Sequence, residues 1–300
     1  MATSVRGAGG TARDRGLFRF VLALLYVVGL GSVAYFLATG AAYYLTPIQE
    51  RARDPLYWTL KPGGTLGLRF GMAGLLMMTV MHLYSVRKRL RPLRKLGALR
   101  KWLDLHILMG ILGPLFVVLH SSFKVGGLVA ISFWSMVAVA LSGVFGRYLY
   151  LKIPRARSGE ELTLADVEKA DGEMTQRLRD EFGADPAFLE KLDRAASPPE
   201  SAGLLRLLVW LVAEDLGLHR GALLAVARSL PGLPPDLARE LMGVVRQKAV
   251  LRRRILLWGA LHRIFHHWHV VHRPFAVVMY LFVLVHVAVA TMTGYGLGWP

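Results

Sequence analysis

The sequence predicts an all-α membrane protein: a five-transmembrane-helix bundle with a cytoplasmic helical insertion between helices 4 and 5. Three observations carry that prediction. Of 300 residues, 54% are hydrophobic and only 19% are charged, below the roughly 25% charged of an ordinary soluble domain. The apolar residues gather in five runs of about 20, the length that crosses a hydrocarbon core as a helix. The basic residues gather on one side of those runs, so the net charge of +17 is a topology signal and a lipid contact, and no nucleic-acid partner is expected. Cysteine is absent, which excludes disulfides, iron–sulfur clusters, thiolate nucleophiles and covalently attached c-type haem.

The first apolar run spans Leu17–Leu45. The small residues Thr39–Ala42 would suit signal cleavage, but the run is longer than a signal h-region and reads as a membrane helix. The second run is Leu66–Val86, the third Trp102–Phe123 and the fourth Val125–Leu151; the fifth begins at Pro274 and ends near Gly294. The loop Arg87–Lys101 holds eight basic residues and no acid, and the fourth helix ends in Arg147, Lys152, Arg155 and Arg157. The loop 46–65 sets Arg51, Arg53 and Lys61 against Glu50 and Asp54. The positive-inside rule then puts the N-terminus, the 87–101 loop and the 152–273 segment in the cytoplasm and the C-terminus outside, as for a multi-pass protein of a bacterial inner membrane. Trp58, Trp102, Trp268 and Trp299 fall at the expected boundaries, as an aromatic belt would.

Three regions follow: 1–151 with helices 1 to 4, a cytoplasmic helical insertion over 152–255, and 256–300 with a His-rich interfacial helix and helix 5. Within the insertion, Ser158–Arg246 carries sixteen acids and ten bases, a net of −6 against +23 for the rest. Its helices break at Asp185-Pro186, Ser197-Pro198-Pro199 and Pro231–Pro235, and Thr163–Glu168 reads as a helix start. It contains no G-x-G-x-x-G and no P-loop, so it is expected to dock a partner or act as a spacer.

Ten histidines are present, and four form a pattern. His106 and His120 are fourteen residues apart in the third run, and His272 and His286 are fourteen apart at the fifth. Fourteen residues leave a residual of only about 40° around a helix, so each pair shares a face, with an axial separation of about 21 Å. Helices 3 and 5 run in the same direction. His106 and His272 therefore lie at one depth, the cytoplasmic side, and His120 and His286 at another, the outer side. A neutral imidazole is a good axial ligand for haem iron. Two pairs at matching depths predict two haem b groups stacked across the bilayer, with iron held by His106 and His272 in one and by His120 and His286 in the other. Gly110 and Gly113, on the ligand face, are expected to let a macrocycle approach the backbone. Arg87, Lys88, Arg100, Lys101 and Arg273 are expected as propionate partners.

The motifs Leu105-His106-Ile107 through Leu119-His120-Ser121, and Trp268-His269-Val270-Val271-His272-Arg273-Pro274-Phe275 through Val285-His286-Val287, resemble the b-type cytochrome superfamily. That class includes the cytochrome b of quinol-oxidising complexes, the transmembrane ferric reductases and bacterial di-haem membrane cytochromes b. The resemblance covers helices 2 to 5 and leaves the insertion outside. It implies an electron-transfer subunit of an oxidoreductase whose donor is a cytoplasmic flavoprotein, an iron–sulfur protein or the quinone pool. A periplasmic multihaem cytochrome c is a partner it also allows. Ferric reductases of this class carry a C-terminal flavin and nicotinamide module, which the 300 residues do not contain.

Two alternatives stay open: a subunit that itself oxidises quinol or reduces ferric iron, and a non-redox transporter with intramembrane His as proton relays. His262, His266 and His269 share a helical face, with His82 near the end of helix 2. They read either as an extra site, for a third haem, a metal or quinone, or as an interfacial helix touching headgroups. His219 reads as a surface residue, and Met72, Met77, Met78 and Met81 as packing.

Overall fold

Every regular element among the described residues is helical, and the reason is the apolar composition of runs long enough to satisfy their own backbone. The computed structural model describes residues 12–153, 162–198, 204–218, 220–229 and 234–293. The helices are α1 Ala12–Thr39, α2 Ala41–Leu45, α3 Tyr57–Leu60, α4 Thr65–Val80, α5 Leu83–Arg89, α6 Leu99–Ser121 and α7 Gly127–Lys152. They continue as α8 Leu164–Phe182, α9 Pro186–Ala196, α10 Leu204–Asp215, α11 Arg220–Ala227 and α12 Pro235–Met292. Five helical stretches are long and apolar enough to cross a membrane: Gly16–Thr39, Tyr57–Arg89, Leu99–Ser121, Gly127–Lys152 and one within Pro235–Met292. The chain is a multi-pass membrane protein with an all-α fold. Its exposed Phe20, Leu76, Leu141, Val277 and Leu284 are the surface that lipid covers.

Three boundaries differ from the sequence expectation. The first run divides at Gly40 into α1 and the short α2. The second divides at Met81-His82: the His82 amide bonds back to Thr79 at 3.1 Å and the Ser85 amide to His82 at 2.9 Å, so α4 tightens to a close before α5 begins. The fifth does not start at Pro274, which lies inside the 58-residue α12. A proline removes one backbone donor, and a membrane helix tolerates the loss where its other bonds persist. Gly294, Trp299, Arg155, Arg157 and His219 lie outside the described residues.

The described residues divide into two compact units, one running to Tyr148 and resuming at His267, the other Leu149–His266. In the first unit α4 and α6 meet backbone to backbone. A Cβ on Gly74 would lie 2.8 Å from the Gly113 carbonyl and 2.7 Å from Val117, so only glycine permits this approach. At one end of that pair, Val33, Tyr43, Leu60, Phe70 and Leu119 form a core. Buried Arg51 ties the neighbouring loops together, donating to the carbonyls of Thr46 at 2.8 Å, Tyr44 at 2.7 Å and Ser122 at 2.5 Å. Asp104 of α6 pairs with Arg147 of α7 at 3.0 Å, which gives an acid near the membrane the partner it requires.

The second unit follows water-soluble rules. Thr163 caps α8 in a capping box with Asp166, and Asp185 caps α9 ahead of Pro186. Leu178, Leu192, Leu241 and Val245 form its core. Lys248, buried, donates to both carboxylate oxygens of Asp171 at 2.9 and 2.8 Å.

Candidate histidine centres of the membrane unit

His106 and His120 stand on one face of α6, and both turn toward the α4–α5 segment. The Nδ1–H of His106 donates to the Met81 carbonyl at 3.0 Å, and that of His120 donates to the Gly67 carbonyl at 2.8 Å. A carbonyl can only accept, so each bond requires the proton on Nδ1 and leaves the Nε2 lone pair open. The two acceptors are fourteen residues apart, as the two histidines are, and Gly74 and Gly113 stand midway in each series. The antiparallel α4–α6 contact is thus in register along its length. The break after α4 contributes: the Met81 carbonyl has only a 3.3 Å contact from the Tyr84 amide, which leaves it available to His106.

His272 on α12 is held differently. Its Nδ1 is 2.7 Å from Ser142 Oγ, a hydroxyl that also lies 2.9 Å from the Val139 carbonyl. Trp268 backs the site, its Nε1 donating to the Ser142 carbonyl at 2.6 Å and its ring 4.9 Å from that of His272. His286 faces His120, with ring centroids 6.4 Å apart and planes at 62°. Two imidazoles on opposite sides of one metal ion, each with a metal–nitrogen bond of about 2 Å, hold their centroids about 6 Å apart. The His120–His286 pair therefore fits a shared axial pair. Met78, Met136 and Met279 are buried together, with Val117, Phe133 and Val283 packed around them.

Comparison with family models, curated proteins and solved structures gave no match for this chain.

Two expectations about the ligand face are corrected. Gly113 does not open a gap for a macrocycle: a Cβ there would lie 2.9 Å from Met78 and 3.2 Å from the Gly74 carbonyl, so this glycine serves the α4–α6 contact. At Gly110 a Cβ would meet only Met81 Sδ, at 3.7 Å. Arg87 is buried and donates to the Leu96 and Gly97 carbonyls, so it pins its own loop instead of facing a propionate. Arg273 is exposed.

The remaining histidines have local partners. His82, in the turn after α4, bonds through Nδ1 to the Met78 carbonyl at 2.9 Å, with its ring edge-on to Tyr280 at 4.9 Å. Tyr280 donates to the same carbonyl at 2.6 Å. In the second unit, His262 bonds to the Trp258 carbonyl at 2.8 Å and His266 is exposed. His269 packs on Trp268 at 4.5 Å. Among the described residues no three of His, Asp and Glu converge as a metal centre.

Sequence reasoning passed over the residues that orient the imidazoles: Gly67, Gly71, Met81 and Ser142. A Cβ on Gly71 would lie 2.7 Å from His120 Nδ1, so this glycine makes the space for the ring. The stretch Gly67-Leu68-Arg69-Phe70-Gly71 is a G-x-x-x-G, which signals close helix approach and could have pointed to α4 as the neighbour of α6.

Proposed function

We propose that this chain is a b-type cytochrome that carries electrons across a membrane through two bis-histidine haems, held by His106 with His272 and by His120 with His286. The observation that carries the proposal is the protonation pattern. Two of the four histidines have Nδ1–H committed to a carbonyl and a third, His272, is hydrogen-bonded to the Ser142 hydroxyl, and ligating histidines are oriented by such bonds. The 6.4 Å separation of His120 and His286 is the second support. Haem, when bound, supplies the one-electron chemistry; the protein supplies ligation, orientation and exclusion of water. The Met81 and Gly67 carbonyls make the imidazoles of His106 and His120 more electron-rich, which favours the oxidised metal. The methionine layer around Met279 keeps water from the space between the tiers.

The same pattern weighs against histidines as proton relays. A relay needs each ring to exchange protons through both nitrogens, whereas in His106 and His120 one nitrogen is tied to a carbonyl that can only accept. The reading extends to a place among the b-type cytochromes, in a bacterial inner membrane with the N-terminus inside and the C-terminus outside. Electrons would come from a cytoplasmic flavoprotein, an iron–sulfur protein or the quinone pool. The test is a reduced-minus-oxidised spectrum with a haem-to-protein ratio on the purified chain. Two haem b per chain with low-spin, six-coordinate spectra are expected, and a colourless protein that binds no added haem would sink the proposal.

A further inference from the structure

The loop between the second and third membrane-crossing helices is a built surface, and its construction is independent of the histidines. It carries no acid from Leu83 to Leu103. One of its cations, Arg87, is 5% exposed and turned inward. Its guanidinium donates to the Leu96 carbonyl at 3.3 Å and to the Gly97 carbonyl, with the Trp102 ring 5.9 Å away. Trp102 Nε1 donates to the same Leu96 carbonyl at 2.7 Å. Gly97, at φ +69, takes the left-handed turn that presents both carbonyls to the pin. Between α5 and α6 the chain makes a short 3-10 turn, Arg91–Lys95. The result is a closed loop on which Lys88, Arg89, Arg91, Lys95 and Arg100 are exposed. Leu90, Leu96 and Leu99 stand exposed among them, at 50%, 52% and 39%.

We infer that this loop is a preorganised docking surface for the headgroups of anionic phospholipids. A solvated basic loop would serve topology without a buried arginine holding its shape. Cations alternating with exposed leucines, directly at the ends of two membrane-crossing helices, match an interface with anionic phosphate outside and acyl chain beneath. Single-stranded RNA offers phosphate but no acyl chain for the leucines.

The purified full chain, reconstituted with phosphatidylglycerol and phosphatidylethanolamine, is expected to hold phosphatidylglycerol above its bulk fraction, measured by native mass spectrometry. Lys88→Gln, Arg91→Gln and Lys95→Gln should each lower that enrichment by up to about fivefold, and salt should lower it in all. Arg87→Lys keeps the charge but cannot make the two-carbonyl pin, and should lower enrichment as well. Helical content by circular dichroism reports on folding; the three Gln variants, on exposed side chains, test the surface even where Arg87→Lys does not fold. Absence of enrichment in the unaltered chain overturns the inference, as does equal loss on changing the exposed Lys169, Lys191 and Arg239 of the second unit. An Arg87→Lys protein that folds and keeps full enrichment overturns the preorganised surface, and tighter binding of single-stranded RNA than of phosphatidylglycerol overturns the lipid as partner.

Discussion

The two units of this chain solve the packing problem in opposite ways. The membrane unit exposes its large residues, Phe20, Leu76, Leu141 and Leu284 among them, and brings α4 and α6 together through Gly74 and Gly113. The second unit buries Leu178, Leu192, Leu241 and Val245 and leaves exposed ion pairs such as Arg194–Glu190 on its surface. The difference is one of solvent. In lipid, moving a leucine from the surface to the interior gains little, so helices hold together by close backbone contact and hydrogen bonds. In water, removing apolar area is the main driving force. Polar groups follow the same division. The membrane unit commits the half-buried imidazoles of His106 and His120 to single carbonyl acceptors, whereas the second unit buries a charge pair, Lys248–Asp171.

The largest expected effect falls on the membrane unit. His106→Ala and His272→Ala should remove the same haem, and His120→Ala and His286→Ala the other, so each variant falls from two haems to one. Haem content with the residual redox spectrum checks this, and a pair of variants that leave different centres behind would break the tier assignment.

Next in size is the buried pair of the second unit. Lys248→Met strands the Asp171 carboxylate and should destabilise the unit by about 3–5 kcal/mol. Adding Asp171→Leu should recover most of it, measured by hydrogen exchange in α8 and α9. Haem content should stay unchanged, because the four proposed ligands belong to the other unit.

Glycine substitution separates the two packing styles directly. Gly71→Ala puts a methyl 2.7 Å from His120 Nδ1, and should weaken haem binding at the proposed His120–His286 centre by about 10–100-fold, as loss of an orienting bond does. Gly172, in α8, has open space for 4 Å around the place a methyl would take, so Gly172→Ala should stabilise the second unit by about 0.5–1 kcal/mol. Haem titration and thermal unfolding test the two, and equal responses at both glycines would erase the contrast.

The smallest effect is a pH dependence at the α8 cap. The Thr163 hydroxyl and amide both donate to Asp166 and hold its carboxyl below the usual carboxylate range. Its folded value is depressed, so the cap contributes stability above the unfolded carboxyl range and loses it as pH falls through the folded value. Fraying of the first turn of α8 on acidification, followed by NMR, should be pH-dependent in the parent chain and absent as a pH effect in Asp166→Asn.

Much of the fold was legible because its signals are local. Apolar run length announces a membrane helix, the Thr163 and Asp185-Pro186 signals announce helix starts, and α8 and α9 begin there. The fourteen-residue spacing of His106 with His120, and of His272 with His286, also follows from helical period alone. What failed was judged from composition where geometry decides. Pro274 read as the start of the fifth apolar run, yet α12 begins at Pro235 and runs through it. Gly113 read as room for a cofactor because it shares a face with the spaced histidines, yet it packs against α4.

By itself, then, the sequence determined the all-helical membrane class, the five crossing segments, the acidic second region and the matched fourteen-residue spacing of the histidines, since each depends on residues near in the chain. Only the tertiary structure decided which nitrogen of His106 and His120 holds the proton. That choice rests on the Met81 and Gly67 carbonyls, which are 25 and 53 residues away from the rings they orient. A hydrogen bond is set by position within a few tenths of an ångström, and no local pattern carries that information across such distances in the chain.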